Sequence, residues 1–296
     1  MKRLIILFAA LLVTLTAGAQ SMGFVLIPDD AALAGMAGAG VALHSSSPLD
    51  NNLADAALGD EKLSVAAGYS RWMPKMSGFH LLNFSASYRV IPKLTVAVSV
   101  KDLMAPAYET ALANGQAGGT FRPMDLGISA GAAYQLTPNL SAGVAAKFLS
   151  SSLGEDVKAS SVAFNLSAKY AKDNLQAGLA VNNIGPGIKF GTDSSYPLPT
   201  LVKAGAAYTI AGFTAALEAD YVFMSGFMAA LGAQYAILDM VFVRAGYHLG
   251  TGKLALPSYA SLGLGFQLAG FHLDVNYLLA SATLGGTLGV GLGYSF

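Results

Sequence analysis

From Lys62 to the end of the chain, apolar residues recur at every second position with almost no charge on their side. The last stretch shows it best. Leu288, Val290, Leu292, Tyr294 and Phe296 fall on one face, and Thr287, Gly289, Gly291, Gly293 and Ser295 fall on the other. The same spacing returns in Phe271, Leu273, Val275, Tyr277 and Leu279, opposite His272, Asp274 and Asn276. It returns again in Val162, Phe164, Leu166, Ala168 and Tyr170, opposite Ser161, Asn165, Ser167 and Lys169. A repeat of two is the repeat of a β-strand. Charged residues make up 11% of the chain, against about a quarter in a soluble domain. So apolar an outer face does not suit a soluble β-sandwich. Beyond the N-terminus there is no uncharged apolar run of about 18 residues, which argues against spanning helices. Apolar overall yet without long apolar runs is the mark of strands with one face in lipid and one in a lumen. The expected fold class is therefore all-β, a transmembrane antiparallel β-barrel of a Gram-negative outer membrane.

About 14 alternating segments occur, starting near Lys62, Phe79, Leu94, Met124, Leu140, Lys158, Asn174, Thr200, Gly212, Gly226, Asp239, Ser258, Phe271 and Gly286. Every second connection is tight: Ile91-Pro92-Lys93, Thr137-Pro138-Asn139, Lys172-Asp173, Ile210-Ala211, Ile237-Leu238 and Ala269-Gly270. Those between are mostly longer, notably 71–78, 102–123, 184–199 and 250–257. Outer-membrane barrels have short periplasmic turns and longer extracellular loops. This alternation predicts an even strand number with both termini periplasmic. Tyr88, Tyr134, Tyr170, Tyr208, Tyr235 and Tyr294 all fall near the expected periplasmic ends, as an aromatic girdle requires. The terminal Phe296, two residues after Tyr294, is similar to the C-terminal signal by which outer-membrane barrels are recognised for assembly.

At the other end, Lys2 and Arg3 precede the apolar stretch Leu4 to Leu15, and Ala17-Gly18-Ala19 supplies an A-x-A cleavage site. Residues 1–19 are expected to be a cleaved signal peptide, 20–61 an N-terminal plug segment, and 62–296 the barrel. The plug lacks alternation and contains Gly35, Gly38 and Gly40 among alanines. Their spacing matches neither dinucleotide nor P-loop patterns, so they read as permitting close packing against the barrel wall.

Inward positions hold Arg89, Lys101, Asp125, Lys147, Lys169, Lys203, Glu218, Asp220, Arg244 and Asp274. Of these, Arg89, Lys203, Glu218, Asp220, Arg244 and Asp274 are expected to form a polar network in the lumen. Equal numbers of basic and acidic residues, 17 each, give no footprint for nucleic acid. With no cysteine, disulfides and thiolate metal sites are excluded. His44, His80, His248 and His272 are scattered without metal-ligand spacing, and no G-x-S-x-G elbow occurs. No enzyme, metal or cofactor is expected.

Several stretches carry a resemblance. They are Ile27-Pro28-Asp29-Asp30-Ala31-Ala32-Leu33-Ala34-Gly35-Met36, Tyr69-Ser70-Arg71-Trp72-Met73-Pro74, Phe121-Arg122-Pro123-Met124-Asp125, Asn183-Ile184-Gly185-Pro186-Gly187-Ile188-Lys189-Phe190 with Leu198-Pro199-Thr200-Leu201, and Arg244-Ala245-Gly246-Tyr247. Through them the chain resembles the PorV/PorQ family of Bacteroidota, within the FadL-type barrels. Where that family has Asn-Pro-Ala, this chain reads Asn51-Asn52-Leu53-Ala54-Asp55. The resemblance implies a role in type IX secretion. Its partners would be outer-membrane lipid, the type IX translocon, attachment proteins and the C-terminal domains of cargo. Cargo would be bound through outer loops, with Trp72, Met73, Pro74, Met76, Tyr108, Phe121 and Tyr196 as contact residues. The competing expectation is a FadL-like transporter passing hydrophobic small molecules through the barrel.

Overall fold

The computed structural model describes residues 21–76, 78–111, 116–154, 156–191, 195–250 and 256–296. The expected signal peptide, 1–19, lies outside them. Fourteen antiparallel strands close into one barrel, each hydrogen-bonded to its sequence neighbour in the wall, with the first pairing the last. They are β1 (Leu63–Trp72), β2 (Phe79–Ile91), β3 (Leu94–Met104), β6 (Met124–Thr137), β7 (Leu140–Ser152), β8 (Lys158–Lys172), β9 (Leu175–Ile184), β12 (Leu201–Ile210), β13 (Phe213–Val222), β14 (Gly226–Ile237), β15 (Val241–Gly250), β16 (Tyr259–Leu268), β17 (Phe271–Leu279) and β18 (Leu288–Ser295). Two short ribbons stand in long connections: β4 (Tyr108–Ala111) with β5 (Ala117–Phe121), and β10 (Ile188–Lys189) with β11 (Ser195–Tyr196). Every strand start expected from the alternation lies within two residues of the observed one.

The wall is apolar outside and polar inside. On β3, Val96, Val98 and Val100 are exposed while Thr95, Ala97, Ser99 and Lys101 are buried. A lysine buried beside exposed valines makes sense only where lipid lies outside and polar partners lie within. Six tight turns share one end of the barrel, and the two ribbons stand at the other. The tyrosines expected as a girdle sit at one level on the tight-turn end, cross-paired with Leu63, Leu94, Leu140, Leu175, Phe213 and Phe271. Lys62 and Leu63 donate to the Phe296 carbonyl, and Phe296 donates back to Leu63, so the seam closes on the last residue.

The described part of the segment before β1 lies inside the barrel. Beside three 3-10 turns it holds one short α-helix, α1 (Ala31–Gly35), whose start is capped by Asp30: Oδ1 accepts from the backbone N–H of Ala32 and Leu33. The wall makes room with its own glycines. A Cβ on Gly178 would collide with the Val41 carbonyl, and one on Gly232 or Gly246 would press into Met36. Close packing thus rests on glycines of the wall as well as of the plug, where Gly35 lies against Gly263.

Candidate functional site

The plug runs lengthwise through the lumen. Ser21 donates to the Pro197 carbonyl at the long-loop end, Met36 and Val41 lie at mid-barrel, and Gly59 accepts from Arg89 near the tight turns. Leu63 and Phe296 therefore share the tight-turn end, whereas Ser21, the first described residue, lies at the long-loop end.

Wall charges hold this segment residue by residue. Glu218, 1% exposed, accepts from the N–H of Gly40 (2.7 Å) and Val41 (2.6 Å) through Oε2. Its Oε1 lies 2.8 Å from Lys203 Nζ, and Lys203 also donates to Asn51 Oδ1 at 2.9 Å. Lys147 reaches Asp50 at 2.5 Å and Lys169 reaches Asp55 at 2.5 Å. Lys101 donates to the Ile27 carbonyl at 2.5 Å. Buried charges of this kind are tolerable only when each finds a partner. Burial alone would raise the Asp50 and Asp55 carboxyls, but Lys147 and Lys101 around the first, and Lys169 and His44 around the second, hold them below the carboxylate range. Asp55 in turn raises the His44 imidazole, 2.9 Å away. Asp29 goes the other way. Burial lifts it to about 6, with Lys101 opposing and Asp50 and Asp30 adding.

The expected lumen network resolves into separate sets. Lys203 and Glu218 form one with Asp220, the cross-strand partner of Lys203. Arg244 and Asp274 form another, at 2.6 Å, with Gln234 accepting from Arg244 Nε at 2.6 Å. Arg89 stands apart near the tight turns. The strongest latches, Lys147 and Lys169, were placed inward by alternation. Their plug partners Asp50 and Asp55 carry no signal that separates them from loop acids.

The two ends of the lumen differ. Toward the tight turns a cavity of about 280 Å³ lies between plug and wall, lined by Asp30, His44, Gln234, Arg244, His272 and Asp274 among others. Toward the long loops, Phe24, Val25, Leu26 and Ile27 pack in one apolar cluster with Trp72, Leu81, Leu149, Tyr259 and Leu278 of the wall and Met73, Ile188, Leu198, Leu256 and Leu284 of the connections.

This corrects one expected contact residue. Trp72 is 5% exposed and belongs to that internal cluster, because it is the last residue of β1, paired with Phe79 and on the same inward parity as the buried Ala66. Met73 is half-buried, donates its N–H to Thr287 Oγ1, and packs on the cluster. Pro74 lies beside Gly286. Met76, Tyr108 and Tyr196 are exposed. Tyr108 rests edge-on against Phe121 at 5.7 Å, and Tyr196 against Phe190 at 6.2 Å. Beside this rim an open groove of about 290 Å³ runs between Gly185, Gly187, Pro197, Leu198, Phe223 and Met224.

The histidines are spread through the fold. His80 bonds the Tyr69 hydroxyl outside the wall at 2.8 Å, and His248 is buried and stacked on Tyr259. Among the described residues no His/Cys/Asp/Glu group is disposed to hold a metal.

A family model described as type IX secretion system protein PorV matches residues 14–212. No curated protein matches the chain. Among solved structures, the toluene transporter TbuX of Ralstonia pickettii aligns with a TM-score of 0.66 at 13% identity, covering 90% of this chain and 97% of that one. The CymD monoaromatic hydrocarbon channel gives 0.67 at 15% identity, over 94% and 99%. A Pseudomonas aeruginosa FadL homologue gives 0.56 at 14%, over 91% and 96%. At these identities the likeness is one of fold: a FadL-type outer-membrane barrel. The matched proteins are described as secretion, transporter and channel proteins.

Proposed function

Because the chain belongs to the PorV family of type IX secretion system proteins, we propose that it binds secreted cargo at its long-loop rim and passes it to surface attachment. In this reading the chain matures by removal of residues 1–19, the tight turns face the periplasm, and the long loops face outward. Residues 20–61 close the lumen, and the partners are the translocon, attachment proteins and cargo C-terminal domains. One observation supports the rim over a transmembrane passage. The outer half of the lumen is packed with apolar side chains from the plug and from four connections, while Met76, Tyr108 and Tyr196 stand exposed above it. Exposed aromatic and methionine side chains around a groove are what a protein-binding surface uses.

The test is co-purification. Tagged protein carrying Met76→Asp, Tyr108→Ala and Tyr196→Ala is drawn from native outer membranes and its partners are identified by mass spectrometry. Secreted proteins with a C-terminal signal domain should be lost from the variant and kept by the parent. If cargo stays while uptake of a hydrophobic probe falls, the chain is a FadL-like transporter instead.

A further inference from the structure

Strand β9 carries an irregularity that ties the plug to one outer loop. Pairing of β8 with β9 sets Leu166 opposite Val181 and then Phe164 opposite Ile184, so one extra residue enters β9 as a bulge. Asn183 sits there at φ +61°, a region that asparagine enters more readily than most residues. In a regular strand, neighbours face opposite sides. Here Asn182 and Asn183 are both buried, 2% and 1% exposed, and each holds a different body. The Asn182 amide donates to the carbonyls of Asp50 (3.1 Å) and Asn51 (3.2 Å) in the plug. The Asn183 side-chain amide donates to the Pro199 carbonyl at 3.2 Å, and the Asn183 backbone carbonyl accepts from Thr200 Oγ1 at 3.0 Å. Both contacts fix the base of loop 185–199.

Two further side chains bridge the sides. Lys147 Nζ is 2.5 Å from Asp50 Oδ1 and 2.8 Å from Asn183 Oδ1. Asn165 donates to the Leu49 carbonyl at 2.9 Å and accepts the Asn183 N–H at 2.8 Å. We infer that Lys147, Asn165 and the Asn182–Asn183 bulge form a joint coupling the seat of plug residues 48–52 to the shape of outer loop 185–199. A buried ammonium with one acceptor on each side cannot lose either without being left short of partners. Displacing the plug therefore loosens the loop, and a protein gripping the loop changes how firmly the plug is seated, because coupling is reciprocal. As a control on cargo capture this rests on the rim reading above; the coupling itself needs no cargo.

The chain has no cysteine, so single cysteines report one place at a time. Leu198→Cys, at a side chain 3% exposed, reports the loop, and Ser47→Cys, at 1%, reports the plug. Maleimide labelling is followed on purified barrels whose folding is checked by heat-modifiable gel migration. Asp50→Asn, on the plug side of the joint, should speed Leu198→Cys labelling at least about fivefold, the low end of typical site-to-site coupling. Asn183→Gly keeps the left-handed backbone and deletes only the amide, and should speed Ser47→Cys labelling comparably. Asp274→Asn, in the separate Arg244 pair, is the control. The joint is refuted if Asp50→Asn leaves Leu198→Cys within about twofold of the parent, or if Asp274→Asn speeds it as much, which would mean general loosening. Neither result bears on cargo binding, so failure here leaves the rim reading standing.

Discussion

At the long-loop end the lumen is filled by Trp72, Leu198, Leu256 and Leu284 folded onto Phe24–Ile27. At the tight-turn end it keeps a cavity of about 280 Å³, and the plug beyond the apolar cap is held by Lys169, Glu218 and their partners. The two regions use different forces for different tasks. Apolar packing is non-directional and excludes water wherever volume is filled, so it makes a seal. Charge-assisted hydrogen bonds are directional, so they fix a glycine-rich segment in one register while leaving water beside it. A barrel built to pass small molecules would need its space in the sealed half. This one has its larger lumen cavity at the opposite end.

Breaking the polar side should have the largest effect. Glu218→Leu takes the carboxylate partner from Lys203, which keeps only Asn51 and the neighbouring Asp220, leaves the N–H groups of Gly40 and Val41 without their acceptor, and should cost about 3–5 kcal/mol, as losing half of a buried pair does. The loss is read as a drop in the heating temperature at which the barrel's gel migration shifts. The barrel wall should persist while a cysteine placed in the plug becomes reactive. Breaking the seal should cost somewhat less. Trp72→Ala removes a large buried side chain, worth about 3 kcal/mol, and should also let small sugars cross reconstituted vesicles in a swelling assay. If Glu218→Leu admits sugars and Trp72→Ala does not, the division of labour between the two ends is wrong.

The wall was legible in the sequence because lipid enforces it. Val96, Val98 and Val100 must face out and Lys101 must face in, and any slip of one residue would put the lysine in lipid. The alternation of tight and long connections and the single level of Tyr88, Tyr134, Tyr170, Tyr208 and Tyr235 follow from the same constraint. The interior was legible only on the wall side. Lys147 and Lys169 are placed inward by parity, but Asp50 and Asp55 lie in a segment without a period, where nothing marks which acid meets which lysine. Trp72 misleads for a physical reason: read as the start of a loop it counts as exposed, but β1 runs through it, and its parity with Ala66 turns it into the lumen. The bulge at Asn183 is invisible because it breaks the repeat of two within a pair of identical polar residues.

The smallest expected effect separates the plug's own acids. Asp29 is raised to about 6 by burial, with Lys101 opposing and Asp50 and Asp30 adding. A carboxyl raised on folding favours the folded state while it is protonated, so its contribution is full below its ordinary value and is lost as pH climbs through about 6. Asp50 and Asp55 are lowered, so theirs is present above the ordinary carboxylate range and is lost only as pH falls through their folded values. Between pH 5 and about 6 the three should therefore not cancel: the lowered pair is flat there and Asp29 titrates, while the raised His44 imidazole loses its contribution only above that window. Plug seating, read by Ser47→Cys labelling, should weaken across that window in the parent. Asp29→Asn, which stays neutral, should remove the slope without altering the outer cap. A slope that survives in Asp29→Asn would assign it to another group and leave the plug's hold on the lumen independent of this carboxyl.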